Sequence, residues 1–131
     1  MEIQVGRFEG YLPSKNPTDI VLSLLSRTKG AEEHEIDPSS LHSIVYDMKK
    51  KLPELLVDTH FSETSFFPHS EEVDLVMRDL QSAGFIVRPN PKFASFIIKV
   101  EKPIDAEWMT EKEIKDIQRF AETLAKKFSE E

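Results

Sequence analysis

The sequence predicts a single, mainly helical α+β domain, and three observations predict it. Two stretches begin with Asn-Pro or Asp-Pro and carry apolar residues at helical spacing. A third helical stretch runs through a glycine straight into two β-prone runs. A final stretch keeps its apolar residues at steps of 3 and 4 almost to the end of the chain. The 131 residues suffice for one core without covalent staples.

The first segment, "MEIQVGRFEGY", alternates weakly through Ile3 and Val5 and predicts an extended arm or edge strand within residues 1–15. The first helix starts at a clear signal. Asn16 caps, Pro17 takes the first helical position, and Asp19 meets the positive end of the dipole. Ile20, Val21, Leu24 and Leu25 form its stripe, and Gly30 ends it. "GAEEHEID" reads as an acidic linker. The second helix repeats the device with Asp37 and Pro38. It carries Leu41, Ile44, Val45, Met48 and Leu52, and stops at Pro53. Lys49, Lys50 and Lys51 fall in its last turn, where cations are favoured.

Residues 55–67 follow no period; they predict a partly extended connection whose phenylalanines plug the core. The third helix is capped by Ser70, with Glu71 and Glu72 in its first turn. Val73, Val76, Met77, Leu80 and Ala83 face inward, and Gly84 is the left-handed stop. "FIVR" and "FASFIIKV" are β-prone, and "PNP" turns between them, which predicts a hairpin. The last helix, over 110–129, begins with the capping box Thr110 and Glu113, with Met109 and Ile114 at the staple positions. Ile114, Ile117, Ala121, Leu124 and Phe128 make its stripe, and Glu111–Lys115 and Glu122–Lys126 are favourable i,i+4 pairs.

Three helices followed by a hairpin is the order of a winged helix, a fold built on the helix-turn-helix. The expected architecture is thus winged-helix-like, with a β-hairpin wing and a C-terminal helix. The long connection before the third helix departs from a tight helix-turn-helix, so another α+β packing is the alternative.

Composition narrows the function classes. Hydrophobic residues make up 39% and charged residues 31%, which is ordinary for a globular protein. There is no cysteine, so disulfides, thiolate zinc sites, iron–sulfur ligation and cysteine nucleophiles are excluded. The absence of cysteine and of a signal-peptide pattern fits a cytoplasmic protein. The longest apolar stretches are far too short to span a membrane. The net charge of −7 opposes non-specific attraction to DNA or anionic membranes.

The segment "FFPHSEEVDLVMRDLQSAGFI" resembles the central part of Panacea-type proteins, the SocA-like antitoxin group, and of related winged-helix-like proteins of bacteria and archaea. Their pattern is an aromatic, then G-P-[YFH]-S, then a helix ending in L-x-x-x-G-[LF]-[IL]. Phe67, Pro68, His69 and Ser70 stand in that order, and Leu80, Gly84, Phe85 and Ile86 match the helix end. Phe67 replaces the glycine that precedes the proline. "LHSIVYDMKKKL" loosely matches an N-terminal helix of the family, with Tyr46 in a fitting place. The resemblance covers about half the chain. It implies regulation or toxin neutralisation through protein contact, and no catalytic residues.

Three functions compete on the residues themselves. The third helix carries Glu71, Glu72, Asp74 and Asp79 against Arg78, a net −3. That suits a contact face for a basic protein partner, with Glu71, Asp74, Arg78 and Asp79 as contact residues. DNA would need cations there. A DNA-binding regulator would have to use Lys49, Lys50, Lys51, Arg88 and Lys92 instead. A metal-dependent enzyme is the third reading, with Asp58, His60 and His69 as ligands that match no established spacing. His34 and His42 suggest no chemistry by position. No serine sits in a nucleophile elbow, and the four glycines are scattered, so no phosphate loop exists. The expectation is a non-enzymatic regulatory module without cofactor, binding a protein partner. The stripe of the last helix either docks on the domain's own core or forms a homodimer seam.

Overall fold

The computed structural model describes residues 16–31, 34–57, 59–62, 66–88, 95–100 and 102–129. The expected arm over 1–15 and the "PNP" turn lie outside them. The described chain is mixed α+β and mostly helical. Its elements are α1 (Pro17–Arg27), α2 (Pro38–Lys51), α3 (Glu71–Ser82), β1 (Ile86–Val87), β2 (Ile97–Ile98) and α4 (Glu111–Ser129).

Each helix starts where its capping chemistry dictates. The Thr18 N–H donates to Asn16 Oδ1 at 2.9 Å, and the Ser39 N–H to Asp37 Oδ1 at 2.9 Å. At α4 the capping box closes in both directions: Glu113 N–H to Thr110 Oγ1 at 3.1 Å, and Thr110 N–H to Glu113 Oε1 at 2.8 Å. α3 ends in a Schellman turn. Gly84 has φ 86°, its N–H donates to the Gln81 carbonyl at 3.1 Å, and the Phe85 N–H reaches the Leu80 carbonyl at 2.9 Å. This reversal delivers the chain directly into β1.

β1 and β2 pair antiparallel, Ile86 with Ile98 and Val87 with Ile97. Ile36, in the stretch expected to be a plain linker, bridges Phe96 through N–H···O bonds of 2.7 and 3.0 Å and is buried. An apolar residue in an acidic run thus extends the hairpin.

α4 packs against α1 and α2, and α3 packs against α1 and β1. Ile117, Ala121 and Leu124 are fully buried, so the 3–4 stripe docks on the domain's own core. The side chain of Phe128 lies outside what is described. The ion pairs formed on α4 among the described residues are Lys112–Asp116 and Arg119–Asp116, at 3.5 and 3.8 Å.

Polar contacts fix the approach to α4. Asp105 accepts from Ser23 Oγ at 2.6 Å and from Arg27 Nε at 3.1 Å, and the Arg27 Nη2 completes a bidentate pair. Arg27 Nη1 also donates to Gln118 Oε1 at 3.1 Å, and Trp108 Nε1 to Asp19 Oδ2 at 3.0 Å. Residues 104–108 are thereby stitched to α1 before α4 begins.

Candidate functional site

The start of α3 is where polar chemistry concentrates, and the reason lies in its sequence. Ser70 caps the helix, its Oγ accepting the Val73 N–H at 3.3 Å. In a full capping box, the third helical residue would return the favour to the N–H of the cap. In α4 that residue is Glu113. In α3 it is Val73, which is buried and has no acceptor. Ser70 is itself 1% exposed, so its N–H needs a partner from elsewhere.

His42 of α2 supplies it. The Ser70 N–H donates to His42 Nδ1 at 3.1 Å. That fixes the tautomer, because Nδ1 must keep its lone pair and Nε2 must carry the proton. The Nε2–H then donates to Asp74 Oδ1 at 3.0 Å. His69 Nε2 lies 2.7 Å from Asp74 Oδ2, so one carboxylate joins two imidazoles. The rings stack with centroids 4.7 Å apart and planes at 20°, and Phe67 lies 5.5 Å from His42. His69 is held by a backbone bridge to Ser62, with N–H···O distances of 2.7 and 2.9 Å. Burial is the main influence on His42 and pushes its pKa below the ordinary value, while the Asp74 carboxylate pulls it upward.

The neighbouring carboxylate is organised as well. Glu72 accepts the His60 N–H at 2.8 Å and the Ser70 hydroxyl at 3.1 Å. The His60 N–H is the first cause holding the Glu72 carboxyl below its usual range. His60, Phe61, Ser62, His69, Glu71 and Glu72 line an open groove of ≈ 470 Å³.

His42, His69 and Asp74 each bring one possible ligand atom within 4.8 Å of the others, a donor set that suits a divalent metal. The geometry favours protons over a metal there. A metal on His42 Nε2 would place a proton on Nδ1, pointing it at the Ser70 N–H. Metal-bound histidines normally show that second nitrogen an acceptor.

The other expected site residues fall as follows. Glu71, Asp74, Arg78 and Asp79 are all exposed on the outward face of α3, and with them stands Leu75, 51% exposed. The expected DNA-binding lysines diverge. Lys49 is half-buried and donates to the Thr59 carbonyl. The Lys50 ammonium sits 4.4 Å from the Tyr46 ring centroid. Lys51 faces α4, in a groove shared with Lys112, Asp116 and Arg119. Arg88 is exposed just past β1, and Lys92 lies outside the described residues. Of the expected metal ligands, Asp58 also lies outside them, His60 turns to Glu72, and His69 turns to Asp74. The phenylalanines of the connection divide. Phe61 packs on the core, Phe67 on the histidines, and Phe66 is fully exposed, contrary to the expectation that all would plug the core.

His42 was the residue sequence reasoning passed over. The signal was present, since His42, Val45 and Lys49 step by 3 and 4 along one side of α2 beside the apolar stripe.

Among the described residues, no helix is long and apolar enough to cross a membrane. Comparison with protein-family models, with curated proteins and with solved structures finds no match.

Proposed function

We propose that this chain is a non-enzymatic protein-contact module, whose working surface is the outward face of α3. The observation that carries the reading is Leu75. It stands half exposed among Glu71, Asp74, Arg78 and Asp79, on a helix whose opposite face is closed by Val73, Val76, Met77 and Leu80. An apolar anchor ringed by carboxylates fits a partner that presents an apolar residue among cations. Burying the rest of Leu75 would contribute about 1 kcal/mol, and the carboxylates would steer a basic partner toward it. The order α1–α2–α3–hairpin, with α3 turning directly into β1, supports a winged-helix-type arrangement. The resemblance to Panacea-type antitoxins would make the role regulatory. DNA binding is disfavoured, because Lys49 is tied to the connection and the groove-facing helix would be acidic.

The test is fluorescence anisotropy with two labelled probes, an amphipathic Leu/Lys peptide and a mixed-sequence DNA duplex, at low and moderate salt. The peptide should bind, and Leu75→Ser or Asp79→Lys should weaken it about fivefold or more, about 1 kcal/mol. Asp47→Lys, an equal charge change on the exposed side of α2, should leave affinity unchanged. Salt-sensitive DNA binding lost in Arg88→Ala, with no peptide binding, would replace the contact reading with the DNA reading.

A further inference from the structure

We propose that His42 is a proton-operated latch on the start of α3: protonation of Nδ1 removes the acceptor of the Ser70 N–H and releases the turn that presents Glu71, Asp74 and Leu75. The latch regulates the contact face, so its functional meaning rests on the reading above, but its structural consequence does not.

The observation behind it is a matching of donors and acceptors that closes only when His42 is neutral. Nδ1 accepts from the Ser70 N–H at 3.1 Å, and Nε2–H donates to Asp74 Oδ1 at 3.0 Å. An imidazolium has two donors and no acceptor. Its Nδ1–H would face the Ser70 N–H inside a region where both His42 and Ser70 are 1% exposed. Water cannot rescue either group while the turn stays closed, and an unpaired buried N–H is costly. The relief is to open the turn, which lets His42 protonate in water and frees the Ser70 N–H to be solvated.

Among the described residues, the charged and titratable groups that face His42 are Asp74 on α3 and His69 on the connection. Asp74 favours the imidazolium and His69 opposes it, while burial is the largest influence and opposes it too. Glu72 and His60 join at one remove, through the Ser70 hydroxyl. Since the folded pKa lies below the unfolded value of 6.5, the anchoring is complete above that value and is lost as pH falls below it. A group that never protonated when closed but titrated normally when open would favour opening at pH 5 by roughly thirtyfold, and the Asp74 carboxylate, which favours the imidazolium in the closed state, brings the expected effect down to about tenfold.

Hydrogen exchange on the full chain, with EDTA throughout and rates corrected for intrinsic pH dependence, tests the latch. Between pH 7.5 and 5.0, protection of the Ser70, Val73 and Asp74 amides should fall about tenfold, while amides of α1 and the centre of α4 keep theirs. In His42→Gln, whose amide can accept from Ser70 and donate to Asp74 without titrating, the local fall should vanish. His69→Gln keeps the latch residue and should retain the fall, which leaves a test if His42→Gln does not fold. Unchanged protection at pH 5.0, an equal loss in every helix, or the same fall in His42→Gln would overturn the proposal. So would a change in the same amides when EDTA is omitted, since that would make the cluster a metal site. Binding of the Leu/Lys peptide, measured alongside, separates the two claims. A local pH response without peptide binding at either pH refutes the contact face and leaves the latch standing.

Discussion

Replacing Asp105 with alanine should destabilise the fold by about 2–3 kcal/mol, far more than most loop substitutions. The figure follows from the partners of its carboxylate. Asp105 accepts from Ser23 Oγ and from two nitrogens of Arg27, and these bonds tie the segment before α4 to α1. Hydrogen bonds involving a charged group are worth about 1.5–3 kcal/mol when shielded. The Arg27 and Asp105 side chains are 15% and 23% exposed, so solvent screens the three bonds in part and together they should contribute about as much as one shielded charged bond. For a chain of this length, 2.5 kcal/mol corresponds to about 9 °C in Tm. The assay is urea unfolding of the wild type, Asp105→Ala, Arg27→Ala and the double variant. The cycle should return a coupling of about 1.5 kcal/mol or more. A pH series adds a signed check. The Arg27 guanidinium, through its hydrogen bonds, is the first cause holding the Asp105 carboxyl below its usual range. Its contribution is therefore complete above the unfolded value near 3.8 and is lost as pH falls through and below it. Asp105→Ala should be less sensitive to acid in that window. A destabilisation under about 0.5 kcal/mol with no coupling would mean that the pair behaves as a screened surface contact and does not orient α4.

Three further outcomes are expected. Thr110→Ala removes one side of the α4 capping box and should cost about 1 kcal/mol in urea unfolding, with Thr110→Ser restoring most of it. Gly84→Ala meets nothing within 4 Å of the added Cβ, so its cost of about 1 kcal/mol should come from the φ of 86° alone, and Gly84→Asn should be milder. Phe96, fully buried at the bridge to Ile36, should cost about 3–5 kcal/mol when cut to alanine, a large fraction of the stability of such a domain. Circular dichroism should then show a helical chain that melts about 10–20 °C lower.

The helices were legible because each starts on a local chemical signal. Asn16-Pro17, Asp37-Pro38, Ser70 and Thr110 with Glu113 act within a few residues, so sequence neighbours suffice to read them. The stop at Gly84 was legible for the same reason. Non-local pairings were not. Ile36 finds Phe96 sixty residues away, and nothing in an acidic run announces that partner. The polar cluster at α3 failed in a different way. The sequence presents Asp74 as a contact acid and His69 as a candidate metal ligand, two separate roles, but their meaning depends on His42, thirty-two residues before Asp74. A capping serine followed by Val73 where a glutamate could stand was the available clue that an acceptor must come from another element. The three lysines of α2 are adjacent in the sequence, which suggests that they act together. Adjacent residues on a helix point about 100° apart, and each lysine accordingly meets different surroundings.

The most direct test of the account is to map where a basic partner touches the protein. ¹⁵N-labelled protein at pH 7.5 would be titrated with the Leu/Lys peptide, following every amide. The account predicts shifts concentrated on α3 at Glu71, Leu75, Arg78 and Asp79, fading in Leu75→Ser. Shifts centred instead on Arg88 and the hairpin, or on the groove between Lys51 and Arg119, would contradict it.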